Sequence, residues 1–213
     1  MKKLLIILTF LVSSVNADIH VSKNGDILDP GMYWAVNARY AIEDIKKGKG
    51  NKSKLMRHLL NSASYGFNPS RFAIGMIYAN GSNGFNKDLP RAYAWLKLAA
   101  KGKNKNIFQE RDRIKNNLSD EEIIKANKIL ISIEKRYGND VAFKKFRKWI
   151  DAETAVAGSR VKGKHSYLNV RHSINGLESI SHDELIKRLN RIYDSYLIDQ
   201  GYEVKPQEII TSN

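Results

Sequence analysis

The chain has 213 residues, with 36 Lys and Arg against 22 Asp and Glu, a formal net charge of +14 and no cysteine. This length allows one sizeable core with an appended subdomain, and the absence of cysteine excludes both a disulfide framework and a lipid-modified cysteine, so stability must come from packing. The positive balance favours anionic partners by long-range steering, while a sequence rich in Lys, Asn and Ile together also places much of its lysine on solvated helix surface.

Lys2 and Lys3 precede an apolar run from Leu4 to Val12, interrupted by Thr9, and Val15-Asn16-Ala17 has small or moderate residues where a signal peptidase reads. Residues 1–17 therefore read as a secretory signal peptide. The run is too short for an anchor, which needs about 20 apolar residues. Cleavage after Ala17 leaves 196 residues with a net charge of +12, since only Lys2 and Lys3 are lost. No second long apolar run follows, so the mature chain is expected to carry no transmembrane segment and to be exported, periplasmic or secreted. The anionic partners met there are phospholipid, lipopolysaccharide, cell-wall polymer or an acidic protein, and nucleic acid is not expected.

Residues 18–30 form a leader with turn signals at Asn24-Gly25 and Asp29-Pro30-Gly31. Asp29 is placed to cap a helix with Pro30 at its first position. That helix is predicted from about Met32 to Lys47, with Tyr33, Val36, Tyr40 and Ile45 on its apolar side, and Gly48-Lys49-Gly50 ends it. A second helix opens at Asn51 or Ser53, carries Leu55, Met56, Leu59, Leu60 and Ala63, and closes at Gly66. Residues 67–102 then hold two short amphipathic patterns around a glycine-rich turn. Phe72, Gly75 and Tyr78 recur every third residue with Ile74 beside them, and Ala92, Trp95, Leu96, Ala99 and Ala100 follow helical spacing. Between them Gly81, Gly84 and Asp88 suit a tight polar connection.

This helix–turn–helix unit echoes along the chain. Leu60 lies 36 positions before Leu96, Ala63 before Ala99 and Gly66 before Gly102, while Phe72 falls on Phe108 and Tyr78 on Ile114, where the echo fades. A period in the thirties indicates a helical solenoid, whose units touch mainly their neighbours. The spacing Ile74-Gly75, Tyr78, Gly81, Gly84-Phe85, Asp88, Ala92, Trp95, Ala99-Ala100, Gly102 resembles the Sel1-like repeat, an αα-hairpin related to the tetratricopeptide repeat. Ile74 replaces that family's leucine, the turn Gly81-Ser82-Asn83-Gly84 carries one extra residue, and Phe85 stands where valine is usual. The resemblance implies an all-α fold, a short αα-hairpin solenoid over residues 31–153, and protein–protein interaction through its helical surfaces. Gly75, Ala99 and Ala100 are small enough for close helix approach, and Trp95 supplies buried area at the hairpin centre. Trp34 is placed to cover the open end of the stack, and Arg71 on the wall of the modest groove so short a stack offers.

Asn104 to Asn117 reads as the next helix, with Ile107, Phe108 and Ile114 inward. Ser119-Asp120-Glu121-Glu122 is a capping box before a helix carrying Ile123, Ala126, Leu130, Ile133 and Tyr137, which Gly138 ends. Asn139 or Asp140 opens a further helix with Phe143, Phe146 and Ile150, and Trp149 beside them. Residues 154–180 change character. No acidic residue occurs from Thr154 to Leu177, and Arg160, Lys162, Lys164 and Arg171, with His165 and His172, make a basic loop. Leu168, Val170, His172 and Ile174 alternate before Asn175-Gly176, which signals a small hairpin. Ser181 caps a last long helix, 181–201, with Leu185, Leu189, Ile192, Tyr193, Tyr196 and Leu197 on one face, and residues 202–213 form a tail.

Reactive groups are sparse. His165 and His172 have no carboxylate or cysteine at ligand spacing, and Glu43-Asp44 and Glu121-Glu122 are adjacent in sequence and so diverge on a helix. No nucleophile elbow, phosphate loop or dinucleotide fingerprint occurs. The expectation is therefore no catalytic residue, no metal, no cofactor and no enzyme activity. The leading function is an adaptor for an unidentified protein partner in the envelope. The alternative is a module that binds anionic lipid or cell-wall polymer through Arg160, Lys162, Lys164 and Arg171.

Overall fold

The computed structural model describes residues 20–21, 27–102, 104–158, 167–172 and 176–199. The expected signal peptide, the basic residues Arg160, Lys162 and Lys164, and the tail lie outside these. Two short strands, β1 (His20–Val21) and β2 (Ile27–Leu28), precede seven consecutive helices: α1 (Pro30–Lys46), α2 (Lys52–Ser64), α3 (Asn68–Asn80), α4 (Leu89–Ala99), α5 (Lys105–Lys115), α6 (Asp120–Tyr137) and α7 (Asn139–Gly158). Strands β3 (Tyr167–His172) and β4 (Gly176–Ser181) lead to α8 (His182–Asp199).

The helix starts are written locally. The Asp29 carboxylate accepts from the Met32 amide with Pro30 at the helix start, Asn51 accepts from Ser53, and Asp88 accepts from Arg91. Ser119 and Glu122 complete a reciprocal capping box at α6. α3 ends at Gly81, which takes a left-handed φ of 63° and donates its N–H to Ile77, a conformation glycine adopts without a Cβ clash.

α1 pairs with α2 and α3 with α4 as antiparallel hairpins, and α2 packs on α3 to stack them. The stack has one continuous core from Ala38 and Ala41 through Leu55, Leu59 and Ala63 to Ile74, Ile77, Trp95 and Leu98. Burying a side chain the size of these leucines and isoleucines contributes about 1.5–3 kcal/mol each. A buried hydroxyl relay fastens the hairpins: Ser70 Oγ donates to Ser62 Oγ at 2.7 Å, and Ser62 Oγ donates to the Gly31 carbonyl at 2.6 Å. Half-buried Trp34 lies over His58 with ring centroids 5.4 Å apart, so its indole sits between α1 and α2.

The helical-hairpin architecture is the one the repeat spacing predicts, but the chain departs from a plain continuation after α4. α5 packs on α4, with Ile107 and Ile114 buried. α6 turns back onto α4 and reaches α2, and it brings Leu130, Ile133 and Tyr137 against the Trp95 side of the core. The Tyr137 and Trp95 rings stand 5.1 Å apart. α7 follows α6, touches α2 and α8, and buries Ala142, Phe146 and Ile150. Tyr196 of α8 stacks flat on Phe146 at 4.1 Å.

A four-stranded sheet in the order β2-β1-β3-β4 flanks the helices. β3 and β4 pair antiparallel from Tyr167 opposite Ser181 to His172 opposite Gly176, and β1 joins β3 in parallel at Val21 and His172. This sheet is an addition to the all-α reading. The alternation at Leu168, Val170 and His172 marks β3, but two-residue strands in the leader are too short to show a period.

Candidate functional site

The chain leaves a groove beside the turn between α3 and α4. Its wider part encloses about 840 Å³ and is lined by Lys52 of α2, Tyr78 of α3, the turn from Gly84 to Asp88, the start of α4 through Arg91, and Glu122 and Lys125 of α6. A second hollow of about 400 Å³ runs along α2 past Met56, Arg57 and Leu60 to Tyr137 of α6. Phe85 lines both, so one aromatic side chain joins them.

The floor is apolar and half-buried. Tyr78 and Phe85 meet edge to face at 5.9 Å, and Met56, Leu60 and Tyr137 back onto the stack core. The rim is basic. Lys52 Nζ donates to the Gly84 carbonyl at 2.9 Å and lies 5.7 Å from the Phe85 ring centroid. The Arg91 guanidinium stands 5.0 Å over Tyr78 and 3.4 Å from Asp88. Arg57, Lys87 and Lys125 are exposed and make no ion pair among the described residues. Both acidic groups of the groove are engaged in capping, Asp88 with the Arg91 amide at 3.0 Å and Glu122 with the Ser119 amide at 3.1 Å. With five cations against these two carboxylates, the groove presents positive charge around an aromatic centre.

The residues of the repeat pattern are placed as follows. Gly75 is buried where α3 crosses α4, and a Cβ there would stand 2.8 Å from Leu96 Cγ and 3.3 Å from the Ala92 carbonyl oxygen. Ala92, Trp95 and Ala99 lie in the core, and Gly102 is buried just past α4. Tyr78, Gly84 and Asp88 line the groove, and Gly81 shapes the turn that carries it.

Arg71, expected on a groove wall, is fully buried. Its Nη2 donates to the Tyr137 carbonyl at 2.6 Å, and its Nη1 donates to Asn139 Oδ1 at 2.8 Å and to Asn68 Oδ1 at 2.9 Å. Burial pushes its pKa down to about 10, which leaves the guanidinium charged at neutral pH, with the Tyr196 hydroxyl acting in the opposite sense. The side chain thus fastens the α6–α7 junction to α3 instead of facing a ligand. Lys101 adds an ion pair to Glu134 at 2.7 Å, and Lys97 donates to Asn127 at 3.2 Å, so α4 also holds α6 by polar contacts. Of the basic loop, Arg171 and His172 fall within the described residues, on β3 opposite Leu177 and Gly176.

Two other polar contacts bear on chemistry. His58 is nearly buried, and desolvation with Arg57 and Lys54 nearby lowers its pKa. Lys145 of α7 donates to Ser64 Oγ at 2.6 Å and sits 4.0 Å over the Tyr65 ring, with burial lowering its pKa. Neither hollow described above reaches the Ser64–Lys145 contact, which serves to tie α7 to the C-terminal end of α2. Among the described residues, no group of His, Asp and Glu could hold a metal ion, and no helix is long and apolar enough to cross a membrane.

The architecture defines a repeat-like scaffold of helical hairpins. No protein-family model and no curated protein matches the chain. Among solved structures it is similar to a protective antigen present in uropathogenic Escherichia coli strains, described as displaying an SLR (Sel1-like repeat) fold. The identity is 19%, over 62% of this chain and 27% of that one, with a TM-score of 0.42. The chain thus spans about a quarter of the length of that structure.

Proposed function

We propose that the chain is an exported, non-enzymatic Sel1-like repeat adaptor of the cell envelope that holds a protein partner against its helical hairpins. The carrying observation is the groove between α2, the turn from Gly81 to Asp88, and α6, whose floor of Tyr78, Phe85, Met56 and Leu60 stays half-exposed while α6 covers the Trp95 side of the same core. Aromatic surface set in a hollow with a polar rim is where protein partners anchor most of their binding energy. The groove's rim is built from a turn and helix ends, which hold it on a rigid stack.

Crosslinking with mass spectrometry in the intact envelope, followed by pull-down at moderate salt, tests this. A protein partner that survives rising salt agrees with an adaptor that uses apolar contacts. Loss of every partner as salt rises would favour instead a purely electrostatic module for anionic lipid or polymer, acting through Arg160, Lys162, Lys164 and Arg171.

A further inference from the structure

We infer that the groove centred on Phe85 takes an acidic peptide segment of a partner protein, with an apolar side chain of that segment seated against the Phe85 and Tyr78 rings. The inference rests on the adaptor reading and names the chemistry of the partner.

Charge complementarity carries it. Exposed Arg57, Lys87 and Lys125 reach the rim from three separate elements and make no ion pair among the described residues. Lys52 is fixed over Phe85 by its bond to the Gly84 carbonyl, and Arg91 is fixed over Tyr78. These two cations therefore sit at the edges of the aromatic floor. The two carboxylates present do not neutralise the rim, because five cations, Lys52, Arg57, Lys87, Arg91 and Lys125, line the groove against Asp88 and Glu122, and Asp88 is already paired with Arg91 at 3.4 Å. Lys87 and Lys125 line the wider hollow and Arg57 the one joined to it through Phe85, and an incoming carboxylate relieves the repulsion among these like charges. The apolar floor sets a second requirement, since desolvating Phe85 and Met56 needs an apolar group from the ligand.

Shape decides between classes of anion. A bilayer surface is flat on the scale of the hollow and meets only the rim lysines, leaving Phe85 uncovered. A peptide can enter the hollow and satisfy rim and floor together.

The test uses the full chain without its first 17 residues and fluorescein-labelled probe peptides read by polarisation. The first probe repeats Glu-Glu-Leu, the second repeats Glu-Glu-Ser, and the third repeats Lys-Lys-Leu. Vesicles containing phosphatidylglycerol form a fourth arm. The Glu-Glu-Leu probe should bind about tenfold more tightly than the Glu-Glu-Ser probe, and the Lys-Lys-Leu probe should not bind. The doubly reversed variant Lys87→Glu with Lys125→Glu, both exposed and remote from the core, should weaken the Glu-Glu-Leu probe about tenfold or more, with circular dichroism unchanged. Phe85→Ala should remove the preference for leucine over serine while leaving the residual charge-driven binding.

Equal binding of the leucine and serine probes overturns the inference, as does vesicle binding without peptide binding, or an unchanged affinity in the charge-reversed variant. If the groove variants lose the probe but keep a salt-resistant envelope partner, the groove assignment fails and the adaptor reading stands. If wild-type protein retains no salt-resistant partner at all, the adaptor reading fails as well.

Discussion

Replacing Arg71 tests how the stack is held to its C-terminal helices. The side chain is fully buried and links α3 to the Tyr137 carbonyl and the Asn139 amide, residues that lie 66 and 68 positions downstream. Hydrogen bonds from a charged donor contribute roughly 1.5–3 kcal/mol each, so the bonds to these oxygens and to Asn68 amount to about 5–9 kcal/mol before the opposing term is counted. That term is the several kcal/mol lost on desolvating a guanidinium. Removing the side chain recovers the desolvation penalty but leaves the Tyr137 carbonyl and two amide oxygens short of a donor in a buried place. The expected net loss is about 4 kcal/mol for Arg71→Ala, of which Arg71→Met should restore roughly half by refilling the volume. Urea unfolding reports the difference as a midpoint shift, because the slope tracks exposed area and should change little. Hydrogen exchange supplies the local readout. The Gly138 and Ala142 amides, bonded to Glu134 and Gly138 across the junction, should lose protection before the amides of α2 or α4. An Arg71→Met protein as stable as the wild type, with those amides still protected, would refute the clasp.

Gly75→Ala gains about 1 kcal/mol of helix propensity, but its Cβ would stand 2.8 Å from Leu96 Cγ, a fully buried side chain with little room to turn. Overpacking of this kind costs about 1–3 kcal/mol, so thermal unfolding should show a net loss, and an unchanged or raised midpoint would show that α3 and α4 can separate freely. His58 supplies a pH dependence. Its pKa is lowered in the folded state by burial and by Arg57 and Lys54, so the unfolded chain takes up the proton first, and stability should fall as pH drops through about 6.5. His58→Phe keeps the stack on Trp34 and should flatten that part of the stability curve between pH 7.5 and 5.5, each about a unit from the unfolded value. An identical curve in the variant would place the titration elsewhere. Ser119→Ala removes one half of the α6 capping box and should cost about 1 kcal/mol, read by chemical denaturation. Ser119→Asp, which keeps a cap acceptor, should cost much less.

What could be read from the sequence follows from how far apart the interacting groups lie. Asp29 with Met32, Asp88 with Arg91 and Ser119 with Glu122 act within three residues, so spacing alone locates the starts of α1, α4 and α6. The hairpin pairing of α3 with α4 was legible because Gly75, Ala92, Trp95 and Ala99 repeat at helical intervals in a short stretch. The return of α6 onto α4 was not, because an amphipathic helix shows which face it buries and not against what. Arg71 misleads for a related reason. Arginine is seldom fully buried, and the oxygens that make burial tolerable come from residues far along the chain. The groove had one visible sign, the aromatic Phe85 set in the polar turn from Gly81 to Asp88. Its cations come from α2, the turn, α4 and α6, and no interval in the sequence ties them together.

The position of α6 also explains why the groove lies where it does. A helical stack presents its inner face to partners as long as nothing of its own covers that face. Here Leu130, Ile133 and Tyr137 cover Trp95 and Leu98, and Arg71, Lys97 and Lys101 hold them there. What remains open is the seam between the N-terminal part of α6 and the tip of the α3–α4 hairpin, where Glu122 and Lys125 face Phe85 across the hollow. Loosening the clasp therefore has two separable effects. It should expose Trp95 to solvent, seen as a red shift in its emission, and it should widen the groove at the Tyr137 end. If the Phe85 groove binds the acidic leucine probe, Arg71→Met should weaken that probe through lost shape without changing its salt dependence, since the rim cations are untouched. A changed salt slope in that variant would mean that Arg71 itself contributes charge to the bound peptide.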